Sequence, residues 1–123
     1  MREILFRGKR ENGEWLEGYY EKYGKFHRII VNDTCISVPH TVIPETVGQY
    51  IGITDDNGTK IFEGDVVDIL TENEEIGVVC WDEAGFIVNA NGFVLDFQNH
   101  LHGSEVEVIG NIHDNPELLE TED

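Results

Sequence analysis

Basic residues are scarce in this chain. Eight Lys and Arg stand against twenty-five Asp and Glu, for a formal net charge of −17. Phosphate backbones and anionic lipid surfaces are gripped by clustered Lys and Arg, so direct nucleic-acid binding and membrane adhesion are not expected. Lys9, Arg10, Lys22, Lys25 and Arg28 fall in the first quarter and Lys60 alone lies beyond it, which leaves room only for a weak basic face near the N-terminus. Long apolar runs are also missing: no stretch approaches the roughly 18 apolar residues of a membrane-spanning helix. The opening Met1-Arg2-Glu3-Ile4-Leu5-Phe6-Arg7 is charged again by Arg7. It lacks the apolar stretch of a secretion signal, so residence in the cytoplasm is expected. Cysteine is limited to Cys35 and Cys80, each within an apolar run. In a reducing compartment they read as two small buried hydrophobes rather than as a disulfide or a zinc pair.

Signatures of chemistry are equally sparse. No Gly-x-Ser-x-Gly elbow, His-Glu-x-x-His or Cys-x-x-Cys occurs, and each of those spacings is what its reaction requires. The segment from Gly18 to Lys25 has one residue too many between its glycines for a phosphate loop, and Phe26 stands where a magnesium-binding hydroxyl belongs. Asp55-Asp56-Asn57-Gly58 resembles part of a calcium loop, but Ile53 and Gly64 would occupy ligand positions that need oxygen, so the segment reads as a tight turn. Asp65, Asp82 and Asp96 offer acid–base pairs only in the sense that any chain this acidic does. His100-Leu101-His102 is the best metal candidate, because alternate residues of a strand share a face; His113 or a carboxylate would complete the site. The competing reading is a polar loop with solvated histidines. The expectation is therefore a protein without a catalytic residue or cofactor, with a metal-dependent hydrolase as the distant alternative.

What the sequence does hold is a succession of short β-type runs separated by turn signals. Asn12-Gly13 between Ile4–Arg7 and Trp15–Tyr20 is a hairpin signal, read as a two-residue type I′ turn. Gly24-Lys25 and Asn32-Asp33-Thr34 set off the next runs, Phe26–Val31 and Cys35–Val38. Pro39 and Pro44 bracket residues 39–45, which read as a connector because proline donates no ladder hydrogen bond. Runs follow at 47–53, 60–62, 66–70, 76–81, 86–89, 93–97 and 105–112, a spacing typical of a sandwich or small barrel. Asn115, Pro116 and Glu117 carry helix-start chemistry, with Leu118 and Leu119 as anchors and an acidic tail behind. Trp15, Tyr19, Tyr20, Tyr23 and Phe26 cluster with Lys22, Lys25 and Arg28. Cross-strand packing explains such a cluster in part; beyond that, Tyr, Trp and Arg are the residues of protein interfaces.

Three blocks together resemble one family. They are Thr46–Val67, which contains Gly48-Gln49-Tyr50-Ile51-Gly52 and Phe62-Glu63-Gly64-Asp65-Val66-Val67; Gly77–Asp82; and Glu107–Leu119, which contains Ile109-Gly110-Asn111-Ile112. Their order and spacing are similar to the YopX family of small proteins encoded by bacteriophages and prophages. The resemblance implies phage origin and a bacterial host, and brings no reaction and no catalytic residue. The Glu63-Gly64-Asp65 corner looks like the opening of a small SH3-like barrel, where Gly64 permits the turn and Asp65 accepts backbone N–H groups.

The fold expected is mostly β within a single domain of residues 1–123. It comprises an antiparallel meander over 1–44, an SH3-like barrel lobe over 46–113, and a short C-terminal helix with its tail over 114–123. The function expected is a self-assembling interaction module that also docks a host or phage protein. The alternatives are an acidic mimic of DNA that occupies a nucleic-acid-binding protein, and a histidine-based metal site.

Overall fold

A computed structural model describes residues 4–33, 36–70, 75–82, 85–90, 93–97 and 101–119; at 32, 33 and 93 only the backbone is described. The chain is mostly β. Its strands are β1 (Phe6–Lys9), β2 (Trp15–Tyr23), β3 (Phe26–Asp33), β4 (Ile36–Val42), β5 (Gly48–Thr54), β6 (Lys60–Phe62), β7 (Asp65–Ile69), β8 (Ile76–Asp82), β9 (Gly85–Ala90), β10 (Phe93–Asp96) and β11 (Val106–Asn111). They pair in two sheets, ordered β4-β3-β2-β1-β5-β6 and β10-β9-β8-β7-β11. The chain divides into two compact units, Met1–Tyr50 and Ile51–Asp123.

In the first unit the hairpin at Asn12-Gly13 forms, with a longer turn than expected. The Gly13 N–H donates to the Arg10 carbonyl at 2.9 Å, the Arg10 N–H donates to the Glu14 carbonyl at 2.8 Å, and the positive φ of +93° falls on Gly13. That is a three-residue loop, in which a turn is followed by one left-handed glycine. The core lies on the face of Gly8, Ile29 and Val42, with Ile29 fully buried. A Cβ on Gly8 would stand 2.8 Å from a Val42 methyl, so β1 and the end of β4 approach each other across a gap only glycine leaves open. Thr46 pins the end of this unit: its hydroxyl donates to the Ile43 carbonyl at 2.6 Å and accepts the Lys9 N–H at 2.8 Å.

Pro39 corrects the connector reading. It lies inside β4, opposite Ile30, and among the described residues β4 is the outermost strand of its sheet. An edge strand needs N–H groups on one side only, so the missing donor costs nothing if it faces outward.

In the second unit the corner at Glu63-Gly64-Asp65 behaves as its chemistry suggests. Gly64 takes φ +94°, its N–H donates to the Val79 carbonyl at 2.8 Å, and the buried Asp65 accepts the Phe62 N–H through Oδ2 at 2.8 Å. The core is built from Ile51, Ile61, Val67, Ile69, Val79, Val88, Leu101, Val106 and their neighbours.

The barrel expected here is not closed among the described residues. β10 and β11 stand at opposite ends of the sheet order, and closure needs the two edges to be hydrogen-bonded. The turn between β5 and β6 occupies the free edge of β11 instead. Asp55 Oδ2 accepts the Val108 N–H at 2.8 Å, the Asp56 N–H donates to the Val106 carbonyl at 3.0 Å, and Asn57 Nδ2 donates to Glu107 at 2.9 Å. A bulge between Val108 and Gly110 then bends the strand.

The C-terminal helix is a single 3₁₀ turn, Pro116–Leu119. Asn115 turns its side chain back toward β11. Its Oδ1 accepts the Asn111 N–H at 3.3 Å, behind the turn.

Candidate functional site

Strand periodicity sorts the aromatic cluster. In β2 the odd positions Trp15, Tyr19 and Tyr23 share one face, and the register Tyr23↔Phe26 and Glu21↔Arg28 adds Phe26 and Arg28 to it. Tyr19 is 57% exposed, Tyr23 63% and Phe26 48%. Cations lie on several of these rings. Arg28 sits 4.6 Å from the Tyr23 centroid, Arg7 and Lys9 lie 4.9 and 5.9 Å from that of Trp15, and Lys25 is 5.7 Å from that of Phe26. Arg28 is further oriented by Glu21, which accepts from its Nε at 3.0 Å and also from its Nη2. Each such pair keeps a long side chain close to a ring, which lowers the entropy lost when the face is covered.

Tyr20 does not belong to this face. It lies on the opposite side, with its ring 5.5 Å from Phe6, and its hydroxyl shares a 2.5 Å hydrogen bond with His27 Nδ1. The sequence held the signal that separates it: its even position in a strand whose other clustered aromatics are odd.

Beside the aromatic face, the first unit carries a cleft of about 550 Å³. It is walled by the β1–β2 loop (Arg10, Glu11, Asn12), the β2–β3 turn (Lys25, Phe26, His27) and the chain at Thr41–Pro44. Arg10 is tethered by Glu14 at 2.9 Å. The Ile43 N–H donates to the Lys9 carbonyl at 2.8 Å and so fixes the facing wall.

Of the metal candidates, His100 lies outside the described residues. His102 serves as the cap of the 3₁₀ turn Gly103–Glu105, and its backbone N–H donates to Glu105 at 2.9 Å. His113 sits in the turn after β11, where its N–H donates to Asn111 Oδ1 at 3.0 Å. Among the described residues no group of three or more His, Cys, Asp or Glu could hold a metal ion. The carboxylates Asp65, Asp82 and Asp96 fall on β7, β8 and β10; Asp65 is turned onto Phe62, and Asp82 accepts the Gly85 N–H at 3.2 Å.

A family model for the YopX protein matches residues 5–120, nearly the whole chain and more than the three blocks that suggested it. The chain belongs to the YopX family. Among solved structures it is similar to the crystal structure of protein EF1440 from Enterococcus faecalis, with 23% identity over 98% of this chain and 100% of that one and a TM-score of 0.62. That likeness carries the fold alone. No curated protein matches. Among the described residues no helix is long and apolar enough to cross a membrane.

Within this YopX-family chain the charge is divided unevenly. Seven of the eight bases and seven of the twenty-five acids lie in Met1–Tyr50, so that unit is formally neutral and the whole −17 resides on Ile51–Asp123. The residue that sequence reasoning missed in this acidic unit is Asp55. It is 6% exposed and accepts three backbone N–H groups: Asn57 and Thr59 on Oδ1, at 2.9 and 2.8 Å, and Val108 on Oδ2. Burial pushes its pKa up, but the donors at Val108, Thr59 and Asn57, with the Gly58 N–H nearby, outweigh burial and hold the carboxyl below its ordinary value.

Cys80 shows the opposite balance. Burial first, and the negative charges of Glu63 and Asp82 second, push the thiol above its ordinary value. Since the thiolate is the reactive form, Cys80 in a Cys35→Ser background is expected to alkylate at pH 8 several-fold more slowly than the same chain in urea. Equal rates in the two states would contradict the shift.

Proposed function

We propose that this YopX-family chain is a non-enzymatic interaction module, encoded by a phage or prophage and acting in the cytoplasm of the bacterial host. It assembles with itself and docks a host or phage protein through the aromatic face of its first unit. The observation that carries this reading is the alignment of Trp15, Tyr19, Tyr23 and Phe26 on one face of β2 and β3, with three of the four about half exposed or more. Such rings, interleaved with Arg and Lys, are the residues that dominate protein interfaces.

The test uses tagged chain as bait in host lysate, beside a Tyr19→Ala/Tyr23→Ala double variant. A protein captured in near-equal amount by the parent and at least about tenfold less by the variant supports the face, since two hot-spot rings contribute that much or more. Equal capture by both removes the face from the proposal. Equilibrium sedimentation that finds only monomer at about 10 μM, a concentration at which stable oligomers persist, removes self-assembly.

The confinement of the whole negative charge to the second unit favours a second reading, in which that unit imitates DNA and occupies a basic nucleic-acid-binding protein. Capture of such a protein, lost as salt rises, supports the mimic; capture indifferent to salt sinks it.

A further inference from the structure

We infer that the cleft between the β1–β2 loop, the β2–β3 turn and Thr41–Pro44 is a binding site for a compact ligand that joins a flat ring to an anionic group. This goes beyond the docking reading and does not rest on it, although Phe26 belongs to both surfaces.

The volume is the first argument. About 550 Å³ lies within the range of small-ligand sites and is ample for a substituted ring. The lining supplies the chemistry. Phe26, 48% exposed as a residue, lines the cleft, and Ile43 and Pro44 add apolar surface beside the nearly buried Val42. Together they suit a planar apolar body. Arg10 and Lys25 bring positive charge and His27 an imidazole; Glu11 lines the cleft as well, and Glu14 already pairs with Arg10.

Placement is the third argument. The Lys25 ammonium stands 5.7 Å from the Phe26 centroid, so a ring stacked on Phe26 brings its substituent within reach of that charge. Arg10 bonds Glu14 through Nη1 at 2.9 Å, which orients a guanidinium that has five N–H donors in all. His27 is held by Tyr20 through its Nδ1. Apolar walls and cations within one cleft fit a ligand that carries both features. An aliphatic chain would leave the Lys25 ammonium unused, and a bare phosphate would leave the ring surface uncovered.

The experiment is a titration of the isotopically labelled full chain, followed by amide chemical shifts, with phenyl phosphate, inorganic phosphate and benzyl alcohol as probes. Phenyl phosphate is expected to give saturable shifts at Arg10, Lys25, Phe26 and His27, at least about tenfold tighter than either half-ligand. Lys25→Gln and Phe26→Leu, both at exposed positions, are each expected to weaken binding about fivefold or more. Tyr23→Ala, outside the cleft but on the docking face, is expected to leave it unchanged, so failure here is distinct from failure of the docking reading. Two further probes separate the sources of such chemistry: adenosine monophosphate for a nucleotide, and a capped Asp-Phe dipeptide for a side chain of a protein partner. The tighter of the two assigns the source. Absence of saturable shifts at the cleft with every ring-bearing anion up to about 10 mM, where even weak sites fill, overturns the inference. So does binding that is indifferent to both Lys25→Gln and Phe26→Leu.

Discussion

Replacing Asp55 with alanine is expected to destabilise the second unit by about 3 kcal/mol, because three part-buried backbone N–H groups lose a charged acceptor at once. Each such bond contributes about 1.5–3 kcal/mol, and a donor stranded without a partner costs about 1–3 kcal/mol; the contributions overlap, which keeps the total below their sum. Asp55→Asn is expected to cost less, about 2 kcal/mol, since the amide keeps one accepting oxygen but turns an NH₂ group toward one of the donors. The pH dependence follows from the same contacts. The folded carboxyl lies below its ordinary value, so the folded state releases the proton more readily than the unfolded state. The stabilisation is therefore complete above the ordinary carboxylate range near pH 4 and is lost as pH falls through the depressed folded value. Urea unfolding followed through Trp81 fluorescence, at pH 7 and at steps below pH 4.5, should show a steeper acid loss in the parent than in Asp55→Asn. A cost under about 1 kcal/mol for Asp55→Ala would mean that water replaces the carboxylate and that the turn does not hold β11.

That prediction also shows where the sequence stops being legible. The turn Asp55–Gly58 can be read locally, because Asp and Asn before Gly bond their own backbone two residues on, and the structure has that turn with Gly58 at φ +83°. The bond from Val108 to Asp55 spans 53 residues, and no local pattern announces it. It bears directly on the barrel, which was expected from the Glu63-Gly64-Asp65 corner. The corner is there, yet the free edge of β11 is taken by the Asp55 turn, and β10 does not meet it among the described residues. Pro39 misled for a related reason: whether a strand is central or at an edge is decided by its neighbours, and among the described residues β4 pairs with β3 alone. Strand spacing and the turns at Gly13, Gly24, Gly58 and Gly64 were legible because each rests on a requirement for positive φ that neighbouring residues do not alter. Of the candidate interface residues, four share the exposed face and Tyr20 does not. The period of two would have separated it once the strand was known to run unbroken from Trp15 to Tyr23.

The aromatic face depends in turn on one glycine, and Gly18→Ala is expected to cost about 3 kcal/mol, at the upper end of overpacking. A Cβ at Gly18 would overlap the carbonyl oxygen of Ile30 and stand 3.2 Å from a methyl of Ile29. Backbone cannot yield there cheaply, because Gly18 pairs with Phe6 of β1 on one side while Tyr19 and Tyr20 pair with Ile30 and Ile29 of β3 on the other. Relief requires β2 to move away from β3 or to slip. A slip of one residue exchanges the two faces of the strand; it would bury Tyr19 and Tyr23 and turn Tyr20 outward, erasing the proposed docking surface without altering any of its residues. Gly13→Ala is the matched control. Nothing lies within 4 Å of its Cβ position, and the penalty is only that of the +93° φ, about 1 kcal/mol. Denaturation followed through Trp15 fluorescence measures both costs, and hydrogen exchange along β2 and β3 reports whether the Tyr19↔Ile30 register survives. If Gly18→Ala costs no more than Gly13→Ala and the register is kept, close approach at Gly18 is not what fixes which tyrosines face outward. A large cost together with loss of partner capture would place the origin of the face in this one contact between β2 and β3.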